Sequence, residues 1–271
     1  MHNTIIVRYG EIALKGKNRK FFEEKLIYNI KSFLKLNKTD YSSVSRPRGR
    51  ILIETNDKCG FLKEVFGITS FSYATGVESN IKGITEKCIE FAKTKLNDKK
   101  TFKIDTNRQD KRFNLTSMQV NVQIGSIIAE KTKAKVKLKD PDLTLYVEIA
   151  DDTYIFTEII PANGGLPVGI EGSVYALIED RSSLLAAILA MKRGCAIYPV
   201  AYKEIDITLL NKFDSKVKLK IIGDLTELNC DKAIVVNQTL ENLKNIDSHL
   251  VLRPLIGYSE KEIKEKLKEF Q

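Results

Sequence analysis

The sequence predicts a chain of mixed α/β and α+β class: a ferredoxin-like N-terminal module, a second α/β unit, and a truncated Rossmann-like unit at the C-terminal end. Three observations predict it. Up to about residue 77, apolar runs and helical patterns follow the order β-α-β-α-β, which suits a small ferredoxin-like fold. From Ser173 onward, short apolar runs alternate with helical stretches, the pattern of a doubly wound parallel sheet. Between the two, a helix, a strand and a second helix lead into two runs that alternate about Asp151-Asp152, a hairpin signal. The units are placed at residues 1–76, 77–166 and 167–271.

Thr4–Arg8 reads as a buried strand. Over Asn18–Leu36, the apolar residues Phe21, Phe22, Leu26, Ile30, Phe33 and Leu34 share one face of a helix. Ile51–Glu54 is a strand entered from the Arg46-Pro47-Arg48-Gly49-Arg50 turn. Cys59–Phe66 reads as a short helix stopped by Gly67, and Phe71–Val77 as a third strand. The second unit reads as helix Thr85–Leu96, strand Thr101–Thr106, helix Leu115–Glu130, and strands Leu143–Ile149 and Thr153–Ile159. The third gives strands at Val174–Ile178, Ala196–Ala201, Val217–Ile222, Ala233–Val236 and Leu250–Leu252, with helices at Ser182–Lys192 and Ser259–Phe270.

Charge is distributed unevenly. Residues 1–170 hold 29 Lys and Arg against 20 Asp and Glu, whereas residues 171–271 hold 15 of each, so the whole net charge of +9 lies in the front of the chain. Clustered cations that release counterions from phosphates are the footprint of a polyanion binder. A lysine-rich surface kept for solubility gives the same total, but it does not explain the asymmetry. Four separated cysteines (Cys59, Cys88, Cys195, Cys230) without a Cys-x-x-Cys pair argue against a metal ribbon or a disulfide framework and fit a reducing, cytoplasmic setting. Two histidines leave little material for histidine chemistry, and no metal site is expected. No apolar stretch is long enough for a bilayer, so no membrane partner is expected.

Gly10–Asn18 has the outline of a phosphate-binding P-loop but fails on spacing and on Asn18, which stands where Ser or Thr would hold magnesium. As a basic loop feeding a helix N-terminus it gathers Lys15, Lys17, Arg19 and Lys20. Together with Arg8, Arg46, Arg48, Arg50, Arg108, Lys111 and Arg112, these are the candidate RNA-binding residues. Arg108–Phe113 lies between a strand and a helix, where binding loops are commonly mounted. There Phe113 reads as a staple for the helix that follows. Lys131, Lys133, Lys135, Lys137 and Lys139 would form a comb on one side of an extended chain.

The tract Ile5–Phe22, the Arg108–Phe113 loop and Gly164-Gly165-Leu166-Pro167-Val168-Gly169 resemble, in order and spacing, the tRNA 4-thiouridine synthetase (tRNA sulfurtransferase, thiamine and thiouridine biosynthesis) family. The resemblance covers residues 1–170 and continues weakly to the end. It implies a ferredoxin-like domain, a THUMP domain that docks the tRNA acceptor end, and a PP-loop ATPase-like domain in which ATP adenylates uridine before a cysteine persulfide delivers sulfur. It also makes a homodimer plausible.

The chain departs from that pattern where the chemistry lies. Glu179-Asp180-Arg181-Ser182-Ser183 stands where the family has a Ser-Gly-Gly-x-Asp-Ser loop. Without glycines, backbone amides cannot close around phosphate. The catalytic residues are unassigned, and a lone Cys195 or Cys230 is more often a packed side chain than a sulfur carrier. The expectation is a tRNA-docking protein that needs no cofactor and works with a separate catalytic or sulfur-carrier partner. The alternatives are an active sulfurtransferase with a rebuilt ATP site, and a protein-interaction module without RNA.

Overall fold

The computed structural model describes residues 2–47, 49–247 and 249–271. The chain forms two compact units that are not linear in sequence. The first holds Met1–Arg8, Thr39–Lys58 and Phe71–Ile160; the second holds Tyr9–Lys38, Cys59–Ser70 and Pro161–Gln271.

The first unit is one continuous sheet with helices. Its strands are β1 (Thr4–Arg8), β2 (Ser43–Ser45), β3 (Ile51–Glu54), β4 (Ser70–Val77), β5 (Thr101–Arg108), β6 (Lys135–Val136), β7 (Leu143–Ile149) and β8 (Thr153–Phe156), with the short β9 (Ile160–Pro161) following. They line up as β2-β3-β1-β4-β8-β7-β5-β6. The ferredoxin-like strands and those of the α/β unit therefore join through β4 and β8, which pair antiparallel with Thr75 opposite Ile155. Helices α2 (Ile81–Lys95) and α3 (Ser117–Thr132) bury Ile84, Cys88, Val120, Ile124 and Ile128 against Phe102, Leu145 and Val147. Both are capped at their N-termini, α2 by Asn80 and α3 by a Thr116–Gln119 capping box.

The second unit contains the long helix α1 (Arg19–Leu36) and a five-stranded sheet of β10 (Ser173–Leu177), β11 (Ala196–Ala201), β12 (Lys220–Ile221), β13 (Ile234–Val235) and β14 (Val251–Leu252). The order is β12-β11-β10-β13-β14, with every pair parallel. Helices α4 (Arg181–Lys192), α5 (Thr208–Asn211) and α6 (Glu260–Lys268) complete it. Helix α4 is apolar nearly all round because it is buried nearly all round, from Ser183 to Met191.

Several expectations change in detail. Cys59–Phe66 is not an α-helix but a 3₁₀ turn over Gly60–Glu64, with Cys59, Leu62, Val65 and Phe66 all buried. The lysine comb is broken because α3 runs on to Thr132. Lys131 is helical, Lys133 takes the left-handed conformation (φ 61°) that ends the helix, and only Lys135 lies in a strand. Strands β2 and β6 are edge strands with no apolar alternation to announce them.

Candidate functional site

In an open parallel sheet, ligands bind beyond the carboxyl ends of the strands, where the strand order reverses. Here that point lies between β10 and β13. Two segments meet there: Glu179–Ser183 after β10, and Asn237 after β13. The Asp180 carboxylate caps α4. Its Oδ1 accepts from the Ser183 amide at 2.9 Å and the Ser182 hydroxyl at 2.6 Å, and Asn237 Nδ2 reaches it at 3.0 Å. In return Ser183 Oγ accepts from the Glu179 and Asp180 amides at 3.1 and 3.3 Å. Burial pushes the Asp180 carboxyl up, but the hydrogen bonds from Ser182, Ser183 and Asn237 outweigh it and hold the group below the usual carboxylate range. The position a phosphate would take at this helix N-terminus is thus filled by the chain's own anion. The turn has no glycine, and its Glu179, Asp180 and Ser183 amides and Ser182 hydroxyl are committed to Asp180 and Ser183.

A cavity of about 990 Å³ opens beside this turn, lined by Asp180, Arg181, Ser182, Asn237, Lys264 and Lys268 among others. Asn237 was not singled out from the sequence. The available signal was the switch from buried Ile234-Val235-Val236 to Asn237-Gln238-Thr239, a polar run directly after a buried strand.

The Gly164–Gly169 segment has a structural reason for its glycines. Gly165 has φ 78°, and a Cβ there would lie 2.3 Å from the Lys192 carbonyl oxygen. That close approach lets the Leu166 amide donate to the same carbonyl at 2.9 Å, closing the C-terminal end of α4.

The candidate cations divide by environment. Arg50 is buried and paired with Glu148, which is buried as well; Arg8 donates to the same carboxylate at 3.3 Å and to Ser72 Oγ at 3.0 Å. Burial pulls the Arg8 guanidinium down from its ordinary value while Glu148 opposes the shift. These two arginines face a shared carboxylate rather than open solvent. Arg19 turns back to Glu23 (2.7 Å) and to the Tyr9 hydroxyl (2.8 Å), and Lys15 lies over the Phe22 ring and 3.6 Å from Glu171. Lys17, Lys20 and Arg46 are exposed. Arg48 lies outside the described residues.

Pro47 and Arg50, distant in sequence from Gln109 and Asp110, border with them one groove of about 250 Å³ that is also lined by Asp151, Asp152 and Tyr154. Arg108 shapes the loop by donating to the Phe113 carbonyl at 2.9 Å. Phe113 itself packs on the core. Arg112 is held by Asp110 at 2.9 Å and by Asp151 at 3.4 Å, while Lys111 is exposed. Cys59 and Cys88 are buried, and burial pushes the Cys88 thiol up to about 12. Cys195 is raised by burial and then by Glu171, and Cys230 is exposed. Among the described residues no helix is long and apolar enough to cross a membrane, and no group of three or more His, Cys, Asp or Glu is placed to hold a metal ion.

Comparison with known proteins accounts for this architecture. Residues 4–72 match the ThiI ferredoxin-like domain and residues 78–158 the THUMP domain. The chain is 35% identical to the probable tRNA sulfurtransferase of Natranaerobius thermophilus, over 84% of this chain and 57% of the relative. It is 33% identical to that of Thermococcus kodakarensis over 91% and 68%. With the Methanocaldococcus jannaschii relative it is 31% identical over 326 positions, covering 96% of this chain and 85% of that one. Those 326 positions exceed the 271 residues here, so part of that relative has no counterpart within the match. The chain spans 57% and 62% of the length of the relatives from N. thermophilus and Thermoanaerobacter sp.. Among solved structures, PH1313 from Pyrococcus horikoshii superposes with a TM-score of 0.86 at 28% identity, covering 98% of this chain and 99% of that one. A 4-thiouridine synthetase–RNA complex with bound ATP superposes at 0.79, also at 28% identity, covering 100% and 85%. A ThiI-type ferredoxin-like domain followed by THUMP, with relatives matched over most of their length, identifies the chain as a member of the tRNA sulfurtransferase family.

Proposed function

We propose that the chain docks tRNA for 4-thiouridine formation and does not build the adenylating centre by itself. Support for RNA comes from the THUMP match and from the related synthetase whose structure holds RNA. The observation that carries the second half is the Asp180 carboxylate at the N-terminus of α4, with its hydrogen bonds from Ser182, Ser183 and Asn237. Adenylation needs preorganised positive donors for the departing pyrophosphate; an anion seated there opposes it. A separate catalytic or sulfur-carrying protein, or a second copy, would then complete the reaction on the docked tRNA.

Exposed cations in the first unit, Arg46 and Lys111 among them, would supply the docking charge. The test joins two measurements on the purified chain: a tRNA-binding titration against salt, with and without the 3′ CCA end, and an assay for ATP-dependent thiolation without other proteins. Binding that weakens with salt and with loss of the CCA end, with no thiolation, is expected. Unaided thiolation overturns the proposal.

The size of the cavity beside Asp180, about 990 Å³, favours a second reading in which a nucleotide enters through a rebuilt site using Arg181 and Ser182. ATP binding detected by calorimetry and abolished by Arg181→Ala would support it.

A further inference from the structure

The parallel sheet of the second unit carries its helices on one face. Val174, Ala176 and Ile197 point to that side, against Leu185, Ile188, Leu210, Ile263 and Leu267 of the three helices. Parallel sheets ordinarily bury both faces, and their strands then read apolar on both. The opposite face here is divided. Toward the strand C-termini it is apolar and closed, with Leu177, Val200, Ile222, Ile234 and Val236 packed with Leu225 and Leu228. Toward the N-termini it changes character. Tyr175 and Tyr198 are register partners on β10 and β11, with rings 6.2 Å apart, and Tyr198 is 52% exposed.

Lysines lie on the neighbouring strand β12 and on the segment leading into it. Lys220 pairs in register with Val200 and therefore projects on the tyrosine side; it and Lys218 are exposed, and neither is ion-paired among the described residues. Residues 171–271 hold 15 Lys and Arg against 15 Asp and Glu, so these lysines are not part of a general positive excess there.

We infer that this strip is a second RNA contact that takes unpaired nucleotides, with a base stacked on Tyr198 and phosphates on Lys218 and Lys220. An obligate protein interface would continue the Leu/Ile/Val surface of the closed half, and lysine is depleted from interface cores. Exposed aromatic faces on a sheet, flanked by cations, suit single-stranded RNA, because every base has a π-face and every nucleotide a charge. The inference rests on RNA being the ligand of the docking proposal and adds a surface to it.

The test uses a fluorescein-labelled unpaired RNA 12-mer and intact tRNA with the full chain, together with Tyr198→Ala, Tyr198→Phe and the Lys218→Ala/Lys220→Ala pair. Sedimentation velocity is run on each. Tyr198→Ala should weaken binding of the 12-mer about tenfold, and Tyr198→Phe, which keeps the ring, should bind as the parent does. The lysine pair should flatten the log–log salt dependence by roughly 1.4, about 0.7 for each phosphate no longer neutralised. Parent-like binding by both Tyr198→Ala and the lysine pair while tRNA still binds overturns this inference alone. A changed oligomeric state in Tyr198→Ala with unchanged RNA affinity also overturns it, and assigns the face to contact between copies. Failure of the parent chain to bind either RNA removes the docking proposal as well.

Discussion

Asn237 donates its side-chain amide to Asp180 Oδ1 at 3.0 Å and to Ser182 Oγ at 2.9 Å, so a residue two positions past β13 locks the turn that follows β10. Asp180→Ala removes both this tie and the cap of α4 and is expected to lower stability by about 1 kcal/mol, read as a shift in the denaturation midpoint. Asp180→Asn, an equally good cap, should cost less. Because the folded carboxyl titrates below its unfolded value of about 3.9, its stabilisation is present above that pH and is lost as pH falls through the folded value. An Asp180→Asn chain should lack that part of the acid-side loss.

Glu148 balances two arginines, Arg8 and Arg50. Removing the carboxylate leaves buried guanidinium without a counter-charge, so Glu148→Ala should cost about 3–5 kcal/mol in urea unfolding. Arg50→Met leaves Arg8 and Glu148 as a matched pair and should cost clearly less. Equal losses would show that the buried charge is not what matters.

Two glycines with positive φ separate backbone strain from steric crowding. Gly16 (φ 52°) has open space where a Cβ would go, whereas Gly165 (φ 78°) has the Lys192 carbonyl 2.3 Å away. Gly16→Ala should cost about 1 kcal/mol from backbone conformation alone. Gly165→Ala should cost more, because the last turn of α4 must also shift. Thermal melts of the two variants compare these costs directly.

Lys111 and Arg112 are neighbours with different commitments. Lys111→Ala should flatten the log–log salt slope of tRNA binding by about 1. Arg112 is held by Asp110 and Asp151, and its hydrogen bonds with Asp110 keep that carboxyl below its usual range. Arg112→Ala should therefore have the smaller effect on binding.

Thiol reactivity should follow exposure. Burial and Glu171 raise the Cys195 thiol, which is the opposite of an activated sulfur carrier, and Cys230 is exposed. Iodoacetamide at neutral pH should label Cys230 first, Cys195 slowly, and Cys59 and Cys88 only on unfolding. Peptide mass spectrometry gives the order, and early labelling of Cys195 would contradict the buried-thiol account.

Much of this was legible in the residues. Thr4–Arg8, Leu143–Ile149 and Ala196–Ala201 are strands with the bounds that their apolar runs suggest, and the missing glycines after β10 mark the altered turn. Edge strands such as Ser43–Ser45 were not legible, since they bury little and need no hydrophobic alternation. Nor were the partners of the charged residues: Arg50 and Arg112 read alike in sequence, yet one is buried against Glu148 and the other is exposed beside two aspartates.

The order of residues alone determined the fold class, the family resemblance and the loss of a glycine turn, because periodicity, composition and backbone freedom are local properties. Tertiary structure decided which cations remain open to a ligand, what occupies the N-terminus of α4, and which face of the second sheet lies without a helix. Those depend on pairings such as Asp180 with Asn237 or Arg8 with Glu148, which join segments far apart in the chain and arise only when it closes on itself.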